Sequence, residues 1–328
     1  MNMRTFLVIN TSFFGDILLT DPLCRNIKAE YPDAKLIFIV NKPFYEVARY
    51  MDGVDEVLCY DKKGENKGIQ GFFKFYHAYK KYLGKIDAAF VIYGNERGIL
   101  LAKMFGSKKI YSDNHGILKL LLTQGKTSIK EKIQAQDKHS ALLEAYTDKA
   151  AIPLPMLYTP PQETQRSVDA LFAKKNIMPA DDLIVVCTTT KRLDKDMDKN
   201  QCVKLIAGLK QRGKKVLLVG SGQVGTAYVE DLKALGCTDF INLVNQTTIA
   251  QLAAVIKRCK IAVSVDTGTM HLICALRIPV VAVFYLNSPA HLGSWAPKDF
   301  YPHRLMAGPD FSAEQMLDYI QELEKEGL

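Results

Sequence analysis

Short, strongly apolar runs punctuate the chain. The longer stretches between them return their apolar residues to one face every three or four positions. The runs RTFLVIN (4–10), KLIFIVN (35–41), DEVLCYD (55–61) and DAAFVIY (87–93) have the length and β-branched content of buried strands. The intervening spacing predicts a helix from the TSFFGD loop to about Tyr31, with Pro22 near its true start or at a kink. It also predicts a short helix over FYEVARYM, an aromatic-rich one from Phe72 to Leu83, and one over ERGILLAKMFG ending at Gly106. Such alternation implies a parallel sheet with crossover helices.

Residues 115–136 break the rhythm. They mix leucine and lysine without a clean period, and read either as an amphipathic segment facing a membrane surface or bulky acceptor, or as a peripheral helix packing its leucines inward. A helix from about Asp137 to Ala150 leads to IPLPMLYTPP, whose four prolines mark an interdomain linker. The alternation then restarts: a helix over 163–175, strands DLIVVCT (182–188), KKVLLVG (214–220) and DFINL, then Ile261–Val265 and Val280–Tyr285, with helices between. Ser312 followed by Gln315 forms a capping box for a last helix reaching Glu326. The expected organisation is a first domain over 1–160, a second domain over 161–310, and a final helix in 311–328. Each domain is a doubly wound α/β unit, and the two face a central cleft.

Composition narrows the class. A chain of 328 residues, 48% hydrophobic and 24% charged, is globular and suits two α/β cores. No apolar run reaches the roughly 18 residues of a membrane span, and the first residues enter a strand without a signal-peptide pattern. Seven scattered cysteines without CxxC pairs fit reduced core residues in the cytoplasm. The net charge is +8, with lysines concentrated from Lys103 to Lys138. That suits an acidic partner (nucleic acid, anionic lipid or a phosphorylated glycan) or a solvated lysine-rich face.

Chemistry gathers at the carboxyl ends of strands. Asp266-Thr267-Gly268-Thr269 follows one strand and opens a helix, where Thr267 or Thr269 can cap free amides and the helix N-terminus offers positive potential to a phosphate. His271 falls just inside that helix. Thr188, Thr189 and Thr190 end another strand, with Lys191, Arg192 and Lys195 after them, a set suited to a diphosphate without a metal. Gly15-Asp16 stands at the matching edge of the first half. There Asp16 reads either as a helix cap or as a carboxylate able to deprotonate an acceptor hydroxyl. GSGQVG (220–225) matches the dinucleotide fingerprint, but follows the second strand of its half and lacks the acidic residue at the next strand's end. DKDMD (194–198) departs from a calcium loop, with Lys199 and Leu205 where Gly and Glu belong. The histidines show no ligand spacing, so no metal is expected.

Two stretches together resemble glycosyltransferase family 9, the ADP-heptose:lipopolysaccharide heptosyltransferases. FLVINTSFFGDILLTDPLCRNIKAEYPDAKLIFIV is similar to the family's opening strand, Gly-Asp turn and Thr-x-Pro-x-Leu helix. INLVNQTTIAQLAAVIKRCKIAVSVDTGTMHLICALRIPVVAVF is similar to its D-[ST]-G-x-x-H-L donor signature. DMDKNQC after Lys195 and LNSPAHLGSW after Tyr285 depart from the family pattern. The resemblance implies a GT-B fold and a metal-independent inverting transfer from ADP-heptose to the lipopolysaccharide inner core. The final helix would cross back to the first domain. Asp16 would be the base, with Thr188–Thr190, Lys195, Asp266, Thr267, Gly268 and His271 at the donor. Gly15, Lys119, Lys126, Lys130 and Lys132 would meet a phosphorylated glycolipid acceptor. The enzyme is then expected at the cytoplasmic face of the inner membrane, in peripheral contact with anionic lipid. Neither nucleic acid nor a cofactor beyond the substrate nucleotide is expected. Two rival readings are a transferase of this fold with another nucleotide sugar or acceptor, and a nucleotide-binding protein without transferase activity.

Overall fold

The computed structural model describes residues 3–113, 117–123 and 134–327. The chain divides into two compact units, Met1–Met156 and Leu157–Leu328. The division falls inside the proline-marked linker, four residues before the expected one.

The first unit runs β1 (Thr5–Asn10), α1 (Phe14–Leu18), α2 (Asp21–Glu30), β2 (Lys35–Asn41), α3 (Tyr45–Arg49), β3 (Glu56–Tyr60), α4 (Gly68–Ala78), β4 (Ala88–Val91), α5 (Glu96–Met104), β5 (Lys109–Ser112) and α6 (Ala135–Thr147). Its strands are all parallel, in the order β3-β2-β1-β4-β5. Every residue of β1 is buried, as a strand covered on both faces must be. Pro22 sits in the first turn of α2, where its missing N–H costs nothing, so the single helix expected before Tyr31 is two helices with Pro22 at a true start. On one side of the sheet, Leu7, Ile9, Ile37 and Ile39 pack against Phe72 and Phe75 of α4 and Phe105. Part of the irregular stretch is a tight helical turn over Ile117–Leu121.

The second unit runs α7 (Glu163–Lys174), β6 (Leu183–Cys187), α8 (Lys199–Gln211), β7 (Lys215–Val219), α9 (Gly222–Ala234), β8 (Ile241–Asn242), α10 (Ile249–Ile256), β9 (Ile261–Val265), α11 (Gly268–Ala275), β10 (Val280–Phe284), α12 (Pro289–Trp295), β11 (His303–Ala307) and α13 (Ala313–Lys325). Its parallel sheet has the order β11-β10-β9-β6-β7-β8. The helix α13 buries Met316, Leu317, Ile320 and Leu323 in this unit's core. Leu317 packs against Gly208 of α8, and its carbonyl accepts from Arg212 at 2.7 Å. The apolar stripe of α13 is thus taken up by its own sheet.

In each unit the strand order reverses beside the first strand, between β1 and β4 and between β6 and β9. At such a reversal the flanking loops diverge and open a crevice beyond the strands' carboxyl ends. Asp16, the loop from Thr188 to Lys195 and the turn from Asp266 to His271 lie at these two reversals.

Candidate active site

In the first unit, the chain leaves β1 through Thr11-Ser12-Phe13 and turns into α1. Asn10 and Thr20 pin the turn: Asn10 Nδ2 donates to the Asp16 carbonyl at 3.0 Å, and Thr20 Oγ1 donates to it at 2.8 Å. The Asp16 carboxylate is almost wholly buried, 8% exposed. Its Oδ2 accepts the Phe13 N–H at 3.0 Å, so the capping role is real. Its Oδ1 accepts the Tyr93 hydroxyl, also at 3.0 Å, from the loop that ends β4. Burial lifts the carboxyl above the ordinary aspartate range, against the Phe13 amide and Tyr93 hydroxyl, which lower it. A buried carboxylate with raised proton affinity is suited to general-base work. Gly15 is buried within α1, its carbonyl accepting from the Leu19 N–H at 2.9 Å. It shapes the turn and presents no side chain.

Phe13 and Tyr93, the two hydrogen-bond partners of this carboxylate, line a cavity of about 420 Å³ together with Thr11, Ser12, Lys62 and Arg97 among others. Lys62 Nζ donates to the Thr11 carbonyl at 2.9 Å, and Asn95 Nδ2 donates to Thr11 Oγ1 at 2.5 Å. Sequence reasoning missed Tyr93, Lys62 and Arg97. The available signal for Tyr93 was its place at the end of an expected strand. That it meets Asp16 follows only from β1 and β4 being neighbours.

In the second unit, the loop after β6 folds on itself. Thr188 and Thr189 are buried, the Thr190 N–H donates to Asp196 Oδ1 at 2.6 Å, and the Thr190 hydroxyl donates to the Arg192 carbonyl at 2.6 Å. Lys195 ends the short turn Leu193–Lys195 and reaches across to the loop after β9, its Nζ 2.5 Å from Asp266 Oδ2. The same oxygen lies 2.7 Å from His291 Nε2 of α12. Burial works to raise the Asp266 carboxyl, but the Lys195 and His291 contacts outweigh it and hold the group below its usual range, an ionised carboxylate. His291 was not foreseen; it lies in the segment that departs from the family pattern.

Thr267 stands at the N-cap of α11, yet its hydroxyl makes no capping bond. Of the two threonines expected to cap, Thr267 does not, and the helix beginning at Gly268 offers the positive end of its dipole to another acceptor. His271 is buried near Trp295, ring centroids 6.4 Å apart. Burial pushes its pKa down to about 4, against a smaller upward effect of Asp266, so the ring is neutral at pH 7.

The two decoy motifs have structural explanations. The first amide of the GSGQVG helix is taken by Asn245, whose Oδ1 accepts from the Gly222 N–H at 2.6 Å. Gly222 has φ +76°, and a Cβ on Gly225 would come within 2.9 Å of Val244. These glycines serve a turn and close packing. In DKDMD, Asp194 pairs with Arg192 at 2.6 Å, Asp196 holds the Thr190 amide, and Asp198 caps α8 by accepting the Gln201 N–H. Lys126, Lys130 and Lys132 lie outside the described residues. Lys119 is exposed, between Ile117 and Leu120 in sequence, each of them 85% exposed.

The sequence profile of glycosyltransferase family 9 (heptosyltransferase) matches residues 85–320, well over half the chain. This chain belongs to that family. Lipopolysaccharide heptosyltransferase 3 of Escherichia coli K12 is 24% identical over 291 residues, covering 83% of this chain and 80% of the relative. A glycosyltransferase family 9 structure from Veillonella parvula superposes with a TM-score of 0.89 at 18% identity, covering 99% of both chains. An E. coli heptosyltransferase solved with ADP superposes at 0.76 and 19% identity, covering 98% of this chain and all of the other. The two doubly wound units are those of a GT-B glycosyltransferase, and the family 9 chain is a glycosyl-transferring enzyme. Among its described helices, none is long and apolar enough to cross a membrane.

Proposed function

We propose that this family 9 enzyme transfers heptose from ADP-heptose to the inner core of lipopolysaccharide, with inversion and without a metal. The observation that carries the reading is the distribution of charge over the two strand-order reversals. One holds a buried carboxylate of raised proton affinity beside a cavity. The other holds Lys195 and the uncapped start of α11, which together provide the positive charge that a departing diphosphate needs. In the reaction, Asp16 accepts the proton of the acceptor hydroxyl. That oxygen forms the new bond to the anomeric carbon, and the bond from this carbon to the β-phosphate oxygen breaks. The electron pair leaves with ADP, and Lys195, released from Asp266, moves onto the diphosphate. Lys62 and Arg97 at the cavity favour an acidic acceptor, and the exposed Ile117, Lys119 and Leu120 suit contact with an anionic membrane surface.

The test is incubation with ADP-heptose and a heptose-deficient inner-core acceptor, in the presence of EDTA, followed by NMR of the new linkage. Transfer with inverted anomeric configuration supports the reading. ADP binding without transfer favours a nucleotide-binding protein. Transfer from a different nucleotide sugar reassigns the donor, and loss of turnover in EDTA removes the metal-free mechanism.

A further inference from the structure

Tyr93 occupies a conformation that its residue type resists. Its backbone is left-handed, φ 55° and ψ 29°, between β4 and Gly94, where a bulky L-residue is strained. The neighbouring Gly94, also at positive φ, would adopt such a conformation without that penalty. The strained backbone delivers the phenol to Asp16, which lies 77 positions earlier in the chain. The ring is held edge-on by His139 of α6, centroids 5.2 Å apart. His139 is itself fixed by its Nδ1, 3.1 Å from the Leu19 carbonyl. Partial desolvation of the hydroxyl, with 37% of the residue still exposed, and the Asp16 charge push the Tyr93 phenol above its ordinary range, so it remains a donor at every working pH.

We propose that Tyr93 is a positioning residue for Asp16: its hydroxyl holds Oδ1 and keeps the carboxylate ionised and correctly oriented beside the cavity until the acceptor hydroxyl arrives. This rests on the reading of Asp16 as the base. The geometry explains why the strain persists. A carboxylate held at Oδ2 by the Phe13 amide alone can still swing its other oxygen, whereas holds at both oxygens fix the plane of the group. Charged and titratable groups facing this pair are His139 from α6, Asp113 beyond β5, and Lys62 and Arg97 at the cavity. His139 is neutral, since burial brings its pKa down to about 4.

Tyr93→Phe keeps the ring, its packing and the backbone, and removes only the donor. Two readouts decide the matter. In protein carrying ¹³C-carboxyl aspartate, the Asp16 resonance is assigned by its loss in Asp16→Asn and titrated in wild type and Tyr93→Phe. The variant is expected to titrate about one pH unit higher, the worth of one hydrogen bond to the charged form. In transfer from ADP-heptose, kcat is expected to fall about tenfold, with the acid limb of the kcat/KM profile moved upward and the donor KM unchanged. An unmoved Asp16 titration together with an unmoved acid limb overturns the role of Tyr93 while leaving Asp16 intact as base. Loss of the fold in Tyr93→Phe also overturns it, by making the hydroxyl structural. Full activity in Asp16→Asn instead removes the base, and with it both readings.

Discussion

The ammonium of Lys195 and the carboxylate of Asp266, 71 positions apart, form an ion pair at 2.5 Å, with side chains only 13% and 9% exposed. His291 of α12 approaches the same Asp266 oxygen, so one carboxylate after β9 gathers side chains from two other segments, the loop after β6 and α12. A buried lysine held this way has already lost much of its side-chain freedom. Exchanging a carboxylate for a diphosphate then adds little further loss of side-chain freedom.

Lys195→Ala is therefore expected to weaken ADP binding tenfold or more, since a hydrogen bond between charged groups is worth about 1.5–3 kcal/mol. His271→Ala should weaken it less, because the enclosed ring is neutral and offers at most an uncharged N–H. Titration calorimetry with ADP compares the two variants. An equal or larger loss in His271→Ala would place the imidazole, not the ammonium, on the diphosphate.

Asp16→Asn should fold normally, because the amide oxygen can still accept the Phe13 N–H that caps α1. Turnover is expected to fall about 10²- to 10⁴-fold, the usual worth of a general base, with ADP affinity preserved. A variant that loses several degrees of melting temperature and retains activity would leave Asp16 as a cap and nothing more.

Two histidines make stability depend on pH. His139 and His271 are both pushed down to about 4 by burial, whereas the unfolded chain protonates them near 6.5. The unfolded state thus binds more protons in this window. The contribution is complete above pH 6.5, declines as pH falls, and is lost by about pH 4. At about 1.4 kcal/mol per pH unit, each ring is worth on the order of 3 kcal/mol across the window. Urea midpoints measured from pH 7.5 to 4 should fall accordingly, and His139→Gln should make that fall shallower. An unchanged slope in the variant would mean that His139 gains its proton without unfolding.

Replacing Lys119, Lys126, Lys130 and Lys132 by glutamine is expected to raise the acceptor KM and flatten its salt dependence, while the donor KM stays constant. Exposed charges act on anionic partners over a screening length of about 8–10 Å at physiological salt. Both KM values measured at low and moderate salt provide the check. An acceptor KM equal to wild type at both salts would make these lysines a solvated face.

Much of this architecture was legible in the linear pattern. The apolar runs at 4–10, 35–41 and 182–188 became β1, β2 and β6 because buried parallel strands need nothing beyond their own residues to announce themselves. Ser312 caps α13 through the Gln315 amide, a contact within one turn. The strands β5 and β11 escaped notice because both are short or half-buried edge strands, whose pattern is weak. Asp16, Lys195 and Asp266 could be placed at strand ends for the same local reason, but their partners could not be read. Tyr93 reaches Asp16 only because β4 lies beside β1, and Lys195 reaches Asp266 only because β9 lies beside β6. Periodicity records which face of a segment is buried. Which loops converge is set by strand order, a property of the assembled sheet, and the ionisation of Asp16 and His271 follows from the enclosure that this convergence creates.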